Sequence, residues 1–577
     1  MFIKTTRAKG YEYIKLVESY RESGTTKHRV LYNFGRADLI RKDESFLRIV
    51  KRLCEIAEMP LTDAVEGANP LDECGEATFY NYGYVAYRQL WKELDIEGCL
   101  QEATNCTKIT FPLPDVVFLM VMQHLLEPKS KLATHADQCR YFNMNEIPLH
   151  HMYRALDCLY EQKDGIEAGL FEHNYIRMNK KVDVVFYDVT TVHFESAIAD
   201  ELRDFGFSKA CKFNEVQVVM GMIIDSEGVP VGYELFKGNT FDGKTMVEAL
   251  KNIKKRFGIN KVVIVADRGI NSKGNLLLIK EAGYGYVVAS KVKNSAKALR
   301  EKILADKGFT DIKDKEGNLS LRYKVMEHDN IFKDENNTTH KLMENIVVSY
   351  SPKRARKDAA DRERLVTKAK KLLEKPETIK SSNKRGGKKY IDRVDKNKEE
   401  YALAVDKIES DSQFDGFYAI QTSEKSMTAK EVMDAYHTLW KIEESFRIMK
   451  STLEIRPVFH WSPKRVEGHF VVCFLAFLME RKMELLLQRV GYEEYEESTS
   501  PGKIQQALNT MQLAAVTVNG EEKFIKAKCH PLAKKIFKHL RLDMPANISS
   551  KSDLVARFRF DDVPEPLQLS LYNETIA

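Results

Sequence analysis

"KVDVVFYDVTTVHFES", residues 181–196, has the composition of a β-strand, because Val, Phe, Tyr and Thr dominate it and Pro and Gly are absent. Side chains alternate along a strand, so one face is predicted to carry Val184, Phe186, Asp188, Thr190 and Val192. An ionised carboxylate on a buried face costs several kcal/mol unless it is paired or binds a cation. Asp188 is therefore the first candidate for a functional residue, with an edge strand or a buried ion pair as the structural alternatives.

The composition places this carboxylate in an ordinary globular protein of several domains. The chain has 577 residues, of which 43% are hydrophobic and 30% charged. The longest apolar run, residues 470–479, is about half of what spans a bilayer, and "MFIKTTRAKG" is not a signal peptide. A cytoplasmic protein associated with the bacterial nucleoid, without a membrane partner, is expected. The nine cysteines form no CxxC pair, which argues against a zinc site or a disulfide framework.

Changes of pattern along the chain predict six regions. The run at 181–196 is followed by strand-like runs at 215–224, 230–236, 261–269 and 284–290 with helical segments between them, which predicts an α/β domain. The predicted regions are an N-terminal β-containing module (1–75), a helical region (76–180), a first α/β part (181–293), a β-rich segment (294–425), a second part of the α/β domain (426–490) and a C-terminal region (491–577).

A second acid follows a predicted strand in the same domain. Val262 to Ala266 are apolar and run directly into Asp267, which lies where ligands collect at the carboxyl ends of strands. A turn or N-cap role is the alternative for Asp267. Two acids on neighbouring strands would repel each other unless a divalent cation such as Mg²⁺ or Mn²⁺ lay between them. The pair therefore suggests a metal site for phosphoryl chemistry.

A third acid lies in a predicted helix at 429–453. Tyr436, Glu443 and Lys450 are seven residues apart, which is two helical turns, so a regular helix carries them on one stripe. An amphipathic helix in which Glu443 pairs with Arg447 at i+4 is the structural alternative. Basic runs between residues 351 and 398 favour a polyanionic partner such as DNA or RNA.

These motifs together resemble those of a known enzyme family. "YHTLWKIEESFRIMK" (436–450) resembles the Y-x2-R-x3-E-x6-K signature of DDE transposases of the insertion-sequence-four type. "FYDVTT" and "VVIVADRGI" resemble the motifs around that family's first and second Asp, and "QVVMGMIIDSEGVPVGYELFKGNT" resembles the strands that link them. "FDGFYAIQT" and "RPVFHW" resemble blocks on either side of the third acid. The signature Arg is absent, because Leu439 stands in its place.

The resemblance implies a ribonuclease-H-like catalytic core interrupted by the β-rich segment at 294–425 as an insertion domain. It implies that Asp188, Asp267 and Glu443 form the catalytic, metal-binding triad for two Mg²⁺ ions, with Mn²⁺ as an alternative. The phosphate contact of the missing Arg is expected to be lost or to move to Lys441 or Arg447. The DNA-binding residues implied near the third acid are Tyr436, Lys450, Arg447, Lys441 and Trp440. For Trp440 a place in the core is the favoured alternative to stacking on an unpaired base.

The expected activity is that of a cut-and-paste transposase. It would cleave the inverted-repeat ends of its insertion sequence and join them to target DNA, acting as a homodimer on double-stranded DNA. End recognition is expected in the helical region at 76–180, and the C-terminal region is the candidate for dimerisation. The alternatives are a nuclease of the same fold without strand transfer and a catalytically silent DNA-binding protein.

Overall fold

The computed structural model describes residues 2–558 apart from several gaps. These gaps are residues 9, 23–24, 41–42, 44–45, 47, 49, 51, 53–76, 106–108, 181, 197, 207–213, 241, 260–261, 268, 270, 291, 315, 335–336, 380–385, 395–399, 456–457, 459, 489–499 and 519–520. The chain forms two compact units: residues 1–180, 193–201 and 445–577, and residues 181–192 and 202–444. The end of the predicted N-terminal module, residues 53–75, therefore lies outside the described residues.

The secondary structure of the described residues is mixed α/β. The strands are β1 (Phe2–Ala8), β2 (Tyr11–Glu22), β3 (Thr25–Arg36), β4 (Thr78–Asn81), β5 (Val184–His193), β6 (Gln217–Asp225), β7 (Pro230–Lys237), β8 (Val263–Ala266), β9 (Gly285–Ala289), β10 (Thr310–Lys313), β11 (Leu319–Lys333), β12 (Thr339–Tyr350), β13 (Ile391–Arg393), β14 (Tyr401–Leu403), β15 (Phe417–Thr422), β16 (Gln512–Val518), β17 (Glu521–Lys526) and β18 (Ile548–Ser550).

The α-helices of the described residues complete the chain. They are α1 (Ala37–Ile40), α2 (Val85–Glu93), α3 (Ile96–Thr104), α4 (Leu113–Leu126), α5 (Lys131–Asp137), α6 (Leu149–Phe171), α7 (Asp242–Phe257), α8 (Lys273–Glu281), α9 (Lys297–Leu304), α10 (Pro352–Leu373), α11 (Val405–Ser412), α12 (Ala429–His437), α13 (Trp440–Ser451), α14 (Pro463–Gln488), α15 (Pro501–Asn509), α16 (Pro531–His539) and α17 (Lys551–Arg557). No helix among these is long and apolar enough to cross a membrane.

A nine-stranded sheet forms the centre of the second unit. Its order is β10-β11-β12-β15-β9-β8-β5-β6-β7. β5, β8 and β9 run parallel, whereas β6–β7, β9–β15, β12–β15, β11–β12 and β10–β11 are antiparallel pairs. β5 is an interior strand, and side chains on both of its faces are buried: Val185, Tyr187 and Val189 on one face and Phe186 and Val192 on the other. Asp188 is only half-buried. The expectation of a single buried face is therefore wrong, because alternation along the sequence does not show whether one or both faces of a strand are packed.

The segment 294–425 continues this sheet. β15 pairs with β9, with Ile420 opposite Ala289. A buried polar network joins the same strands, because the Tyr286 hydroxyl donates to Glu344 Oε1 and the Gln421 amide donates to Glu344 Oε2 at 2.6 Å. Burial raises the pKa of Glu344. These contacts connect β9, β12 and β15, so the strands of the segment and the strands that carry the acids belong to one hydrogen-bonded sheet.

The first unit contains two smaller sheets and most of the helices. β1, β2 and β3 form an antiparallel sheet, in which β1 is a strand that the sequence analysis did not predict. β4 pairs with β16 in the sheet β18-β17-β16-β4, with Phe79 opposite Ala514. α14 is buried around nearly its whole circumference and packs against α4 and α6. Its apolar run at 470–479 is therefore the core of this unit.

Candidate active site

The strand register brings two of the three predicted acids together. β5 and β8 are parallel neighbours in which Tyr187 lies opposite Ala266. Asp188 and Asp267 are the residues that follow this pair in the two strands, so they lie side by side. Their backbones are about 5 Å apart, which is the spacing of neighbouring strands. Asp188 is half-buried, and Asp267 is exposed where β8 ends. Two acidic residues thus lie next to each other where β8 ends.

The backbone around both acids is held by specific contacts. The Val189 amide donates to Asp188 Oδ1 at 2.8 Å, which fixes the carboxylate against its own strand. The Asn271 amide, in the loop after Asp267, donates to the Ala289 carbonyl at 2.7 Å. Gly221 on β6 leaves room for the buried Tyr187, because a Cβ there would lie 2.5 Å from the Tyr187 hydroxyl oxygen. The strand that carries Asp188 is therefore closely packed immediately before the acid.

Tyr436, one of the predicted DNA-binding residues, contacts the second acid directly. Its hydroxyl donates to Asp267 Oδ1 at 3.5 Å, and its ring centroid lies 5.5 Å from that of Tyr418 on β15. Burial raises the pKa of the Tyr436 phenol, and Tyr418 and Asp267 raise it further. The phenol is therefore a neutral hydrogen-bond donor at physiological pH. Tyr418 lies in the "FDGFYAIQT" block, but nothing in the sequence indicates its contact with Tyr436.

The helix predicted at 429–453 is interrupted. α12 ends at His437 and α13 begins at Trp440. Across Thr438 and Leu439 the amides of 439, 441 and 442 bond to the carbonyls three residues earlier. This tighter turn changes the angle between successive side chains, so the regular stripe through Tyr436, Glu443 and Lys450 is not kept from one helix to the next. The prediction of one continuous helix is wrong at this point, because local i→i+3 bonding replaces the α-helical pattern.

The side chains of α13 divide into a buried and an exposed face. Ile442, Phe446 and Met449 are buried together with Leu439, which is 7% exposed and stands where the family signature has Arg. Glu443, Arg447 and Trp440 are exposed, and Trp440 is exposed over 54% of its surface. Lys441 and Lys450 are half-buried, and the Lys441 ammonium donates to the Ser226 carbonyl at 2.8 Å. Leu439 is thus a core residue.

The carboxylates of the three acids do not all lie within metal-binding distance of one another in this structure. Among the described residues, His124, His469 and Cys473 are the one set of three or more His, Cys, Asp or Glu whose ligand atoms all lie within 4.8 Å of one another. Asp188, Asp267 and Glu443 are described and are not such a set. The side-by-side carboxylates of Asp188 and Asp267 still supply the hard oxygen donors that Mg²⁺ and Mn²⁺ prefer. The donor set fits a divalent cation, with Glu443 available on α13.

A basic surface begins close to Tyr436. The Arg354 guanidinium at the start of α10 lies 4.5 Å from the centroid of the Tyr418 ring, and Tyr418 contacts Tyr436. Within α10 only Ala369 is buried. The exposed basic residues of this helix are Lys353, Arg354, Arg356, Lys357, Arg364, Lys368, Lys370 and Lys371. The contacts from Asp267 through Tyr436 and Tyr418 to Arg354 therefore connect the acids to a strongly basic helix.

Comparison with known proteins identifies the family. The description "Transposase DDE domain" matches residues 180–479, more than half of the chain. This chain belongs to the DDE transposase family and is a DNA transposase, an enzyme that depends on a divalent metal. The description "IS1634 family transposase, N-terminal domain" matches residues 3–59.

No curated protein matches the chain. Among solved structures, the cryo-EM structure of a piggyBac transposase synaptic complex with hairpin DNA is similar at 9% sequence identity and a TM-score of 0.35, over 84% of this chain and 88% of that chain.

Proposed function

We propose that this transposase cleaves the ends of its own insertion sequence and joins them to target DNA, with Asp188, Asp267 and Glu443 as its metal-binding carboxylates. The observation that carries the proposal is the parallel pairing of Tyr187 with Ala266, which sets the first two acids side by side. The family match over residues 180–479 covers all three acids. Glu443 on the exposed face of α13 completes the set in this proposal.

The proposed cofactor is a pair of Mg²⁺ ions, with Mn²⁺ as an alternative. When bound, the ions supply activation of the attacking oxygen and stabilisation of the leaving oxygen of a phosphodiester. Asp188 would hold its carboxylate in place through the Val189 amide. Asp267 would lie exposed where the DNA backbone arrives. Glu443 would approach the two Asp residues when DNA and metal bind, since exposed side chains reorient at little cost.

The residues around the acids have separate proposed roles. Tyr436 would donate its hydroxyl proton to a phosphate oxygen, because its raised pKa keeps the phenol protonated and its alternative acceptor, Asp267, is only weakly bonded at 3.5 Å. Lys450 and Arg447 would bind phosphates as positive charges. Lys441 would have to leave the Ser226 carbonyl before it could do the same. The exposed Trp440 would stack on an unpaired base.

DNA would follow the basic helix α10. Its exposed Lys and Arg side chains neutralise backbone phosphates without reading sequence, and such binding weakens as salt rises. The contact of Arg354 with Tyr418 would place the first of these charges next to Tyr436. Recognition of the inverted-repeat ends would come from the helical region at 76–180, and a homodimer would hold two ends at once.

The finer classification is also part of the proposal. The order β7-β6-β5-β8-β9, with β6 and β7 antiparallel and β5, β8 and β9 parallel, supports a ribonuclease-H-like core. The segment 294–425 would then be the insertion, extending the core sheet through β15. The signature around Glu443 resembles the insertion-sequence-four type, whereas the N-terminal match is to the IS1634 family. We propose an enzyme with the catalytic signature of the former and the N-terminal domain of the latter.

A strand-transfer assay tests the function. The full chain would be incubated with paired ends of its own element and a supercoiled target plasmid in Mg²⁺. Excision followed by joining to the plasmid is expected, and Asp188→Ala should abolish both while DNA binding is retained. Cleavage without joining would favour a nuclease of the same fold, and DNA binding without cleavage by the unaltered chain would favour a silent DNA-binding protein. Cleavage that survives Asp188→Ala would overturn the triad.

A further inference from the structure

A buried cluster of imidazole and thiol side chains lies in the first unit, outside the acidic site. His124 on α4 and His469 and Cys473 on α14 are all buried, with exposed fractions of 3%, 5% and 0%. One ligand atom from each lies within 4.8 Å of the other two. Two imidazole nitrogens and one sulfur at this spacing form a donor set typical of transition-metal sites.

The packing of two helices brings the donors together. His469 and Cys473 are four residues apart, so they lie on the same face of α14, and their Nε2 and Sγ atoms are 3.6 Å apart. α4 packs against α14 and carries His124, whose ring centroid is 5.2 Å from that of His469. The three donors therefore come from rigid, buried helices, which pre-organises them.

The His124 imidazole is oriented as it is in many metal sites. His124 Nδ1 lies 3.2 Å from the Leu453 carbonyl oxygen, so Nδ1 carries the proton and donates, and Nε2 carries the lone pair. A backbone carbonyl bonded to the second ring nitrogen is the usual outer contact of a metal-binding His. His469 directs Nε2 to the Cys473 sulfur.

The cluster also contains a charge that its present surroundings do not balance. Lys131 is 4% exposed, and its ammonium lies 3.5 Å from His124 Nε2. Among the described residues it forms no ion pair with a carboxylate. Burial disfavours an ammonium among neutral groups, and the Lys131 nitrogen lies where the imidazole lone pair of His124 points.

We propose that His124, His469 and Cys473 bind a thiophilic transition-metal cation of the Zn²⁺ class. Cys473 loses its proton on binding, so the thiolate, and not a carboxylate, offsets the cation's charge. Lys131 is the competitor for this place and must withdraw from His124 for the cation to enter. His460, which is 9% exposed with its ring centroid 5.5 Å from that of His469, is the candidate for a fourth ligand. The bound cation would tie α4 to α14 in the core.

Metal analysis of the untagged, full-length protein tests the proposal. Protein purified from zinc-supplemented medium is expected to carry about one Zn²⁺ per chain after gel filtration. Exchange with Co²⁺ should give the near-ultraviolet thiolate-to-cobalt absorption band, a readout that needs no variant. Chains without zinc that show no such band on Co²⁺ addition would overturn the site.

Variants separate this site from any other metal on the chain. Cys473→Ser and His124→Gln should lose the metal and the cobalt band, whereas Cys529→Ser, at a buried cysteine outside the cluster, should keep both. Lys131→Met removes the competing ammonium and should tighten zinc binding at least tenfold. Unchanged zinc in Cys473→Ser, or weaker binding in Lys131→Met, would contradict the assignment. The acidic site uses none of these residues, so failure here leaves the proposed transposition mechanism unaffected.

Discussion

Asp267→Asn should have opposite effects on stability and on activity. Asp188 and Asp267 leave the paired strands side by side, about 5 Å apart at the backbone. Two like charges at that distance in a water-like environment repel by about 1 kcal/mol. In the absence of metal, replacing one carboxylate by an isosteric amide removes this repulsion. Asp267 is exposed, so the substitution creates no cavity and leaves no buried group unpaired.

When Mg²⁺ is bound, Asp267→Asn should be less stable than the unaltered protein. A cation at ten times its Kd stabilises the unaltered protein by about 1.4 kcal/mol through binding to the native state alone. Asp267→Asn should lose most of that gain, because a neutral amide binds Mg²⁺ weakly. Asp267→Asn should also cleave DNA about a thousandfold more slowly, because it loses about 4 kcal/mol of transition-state stabilisation.

Thermal unfolding in EDTA and in Mg²⁺, together with single-turnover cleavage of a labelled element end, measures both effects. In EDTA the variant should unfold at the same temperature as the unaltered chain or at a slightly higher one. Mg²⁺ should raise the unfolding temperature of the unaltered chain only. Asp311→Asn, at an exposed Asp on the edge strand β10, is the matched control and should change neither quantity. A variant that is destabilised in EDTA, still responds to Mg²⁺, or cleaves within tenfold of the unaltered rate would refute this reasoning.

Three further predictions follow from packing and charge. Leu439→Arg restores the family signature but buries a charge in place of an apolar side chain, so it should destabilise the protein by about 2–4 kcal/mol and lower cleavage. Gly221→Ala puts a Cβ 2.5 Å from the Tyr187 hydroxyl and should cost about 1–3 kcal/mol, measured by chemical unfolding. Lys370→Gln with Lys371→Gln should reduce the slope of log Kd against log salt by about 1.8 in fluorescence-anisotropy titrations with duplex DNA.

Matched variants control for each of these effects. Leu439→Met keeps the volume and should be close to neutral. Gly274→Ala, in α8 with nothing within 4 Å of the added Cβ, should be neutral or slightly stabilising. Lys307→Gln, an exposed lysine outside α10, should leave the salt dependence unchanged. Faster cleavage in Leu439→Arg would mean that the position contacts DNA, and an unchanged salt slope in the double variant would remove α10 from the DNA path.

Much of the α/β domain could be predicted because its signals are local. The apolar runs that became β6, β7, β8 and β9 and the helices between them follow from composition and periodicity within ten or so residues. The three ordered motifs around the acids were sufficient to suggest the DDE transposase family, which the match over residues 180–479 confirms. β1, an edge strand of the N-terminal sheet, was not predicted, because its short, mostly polar sequence gives little strand signal.

The sequence by itself determined which side chains we propose as metal ligands: Asp188 and Asp267 at strand positions where charge is costly, and Glu443 in a helix. Tertiary structure alone decided that β5 and β8 are parallel neighbours in this register, because strand pairing joins residues far apart in the chain. It also interrupted the helix at Thr438 and Leu439 and continued the core sheet through β15. The buried cluster of His124, His469 and Cys473 has no sequence signature, since its donors meet only through the packing of α4 on α14, and packing depends on shape that no local spacing encodes.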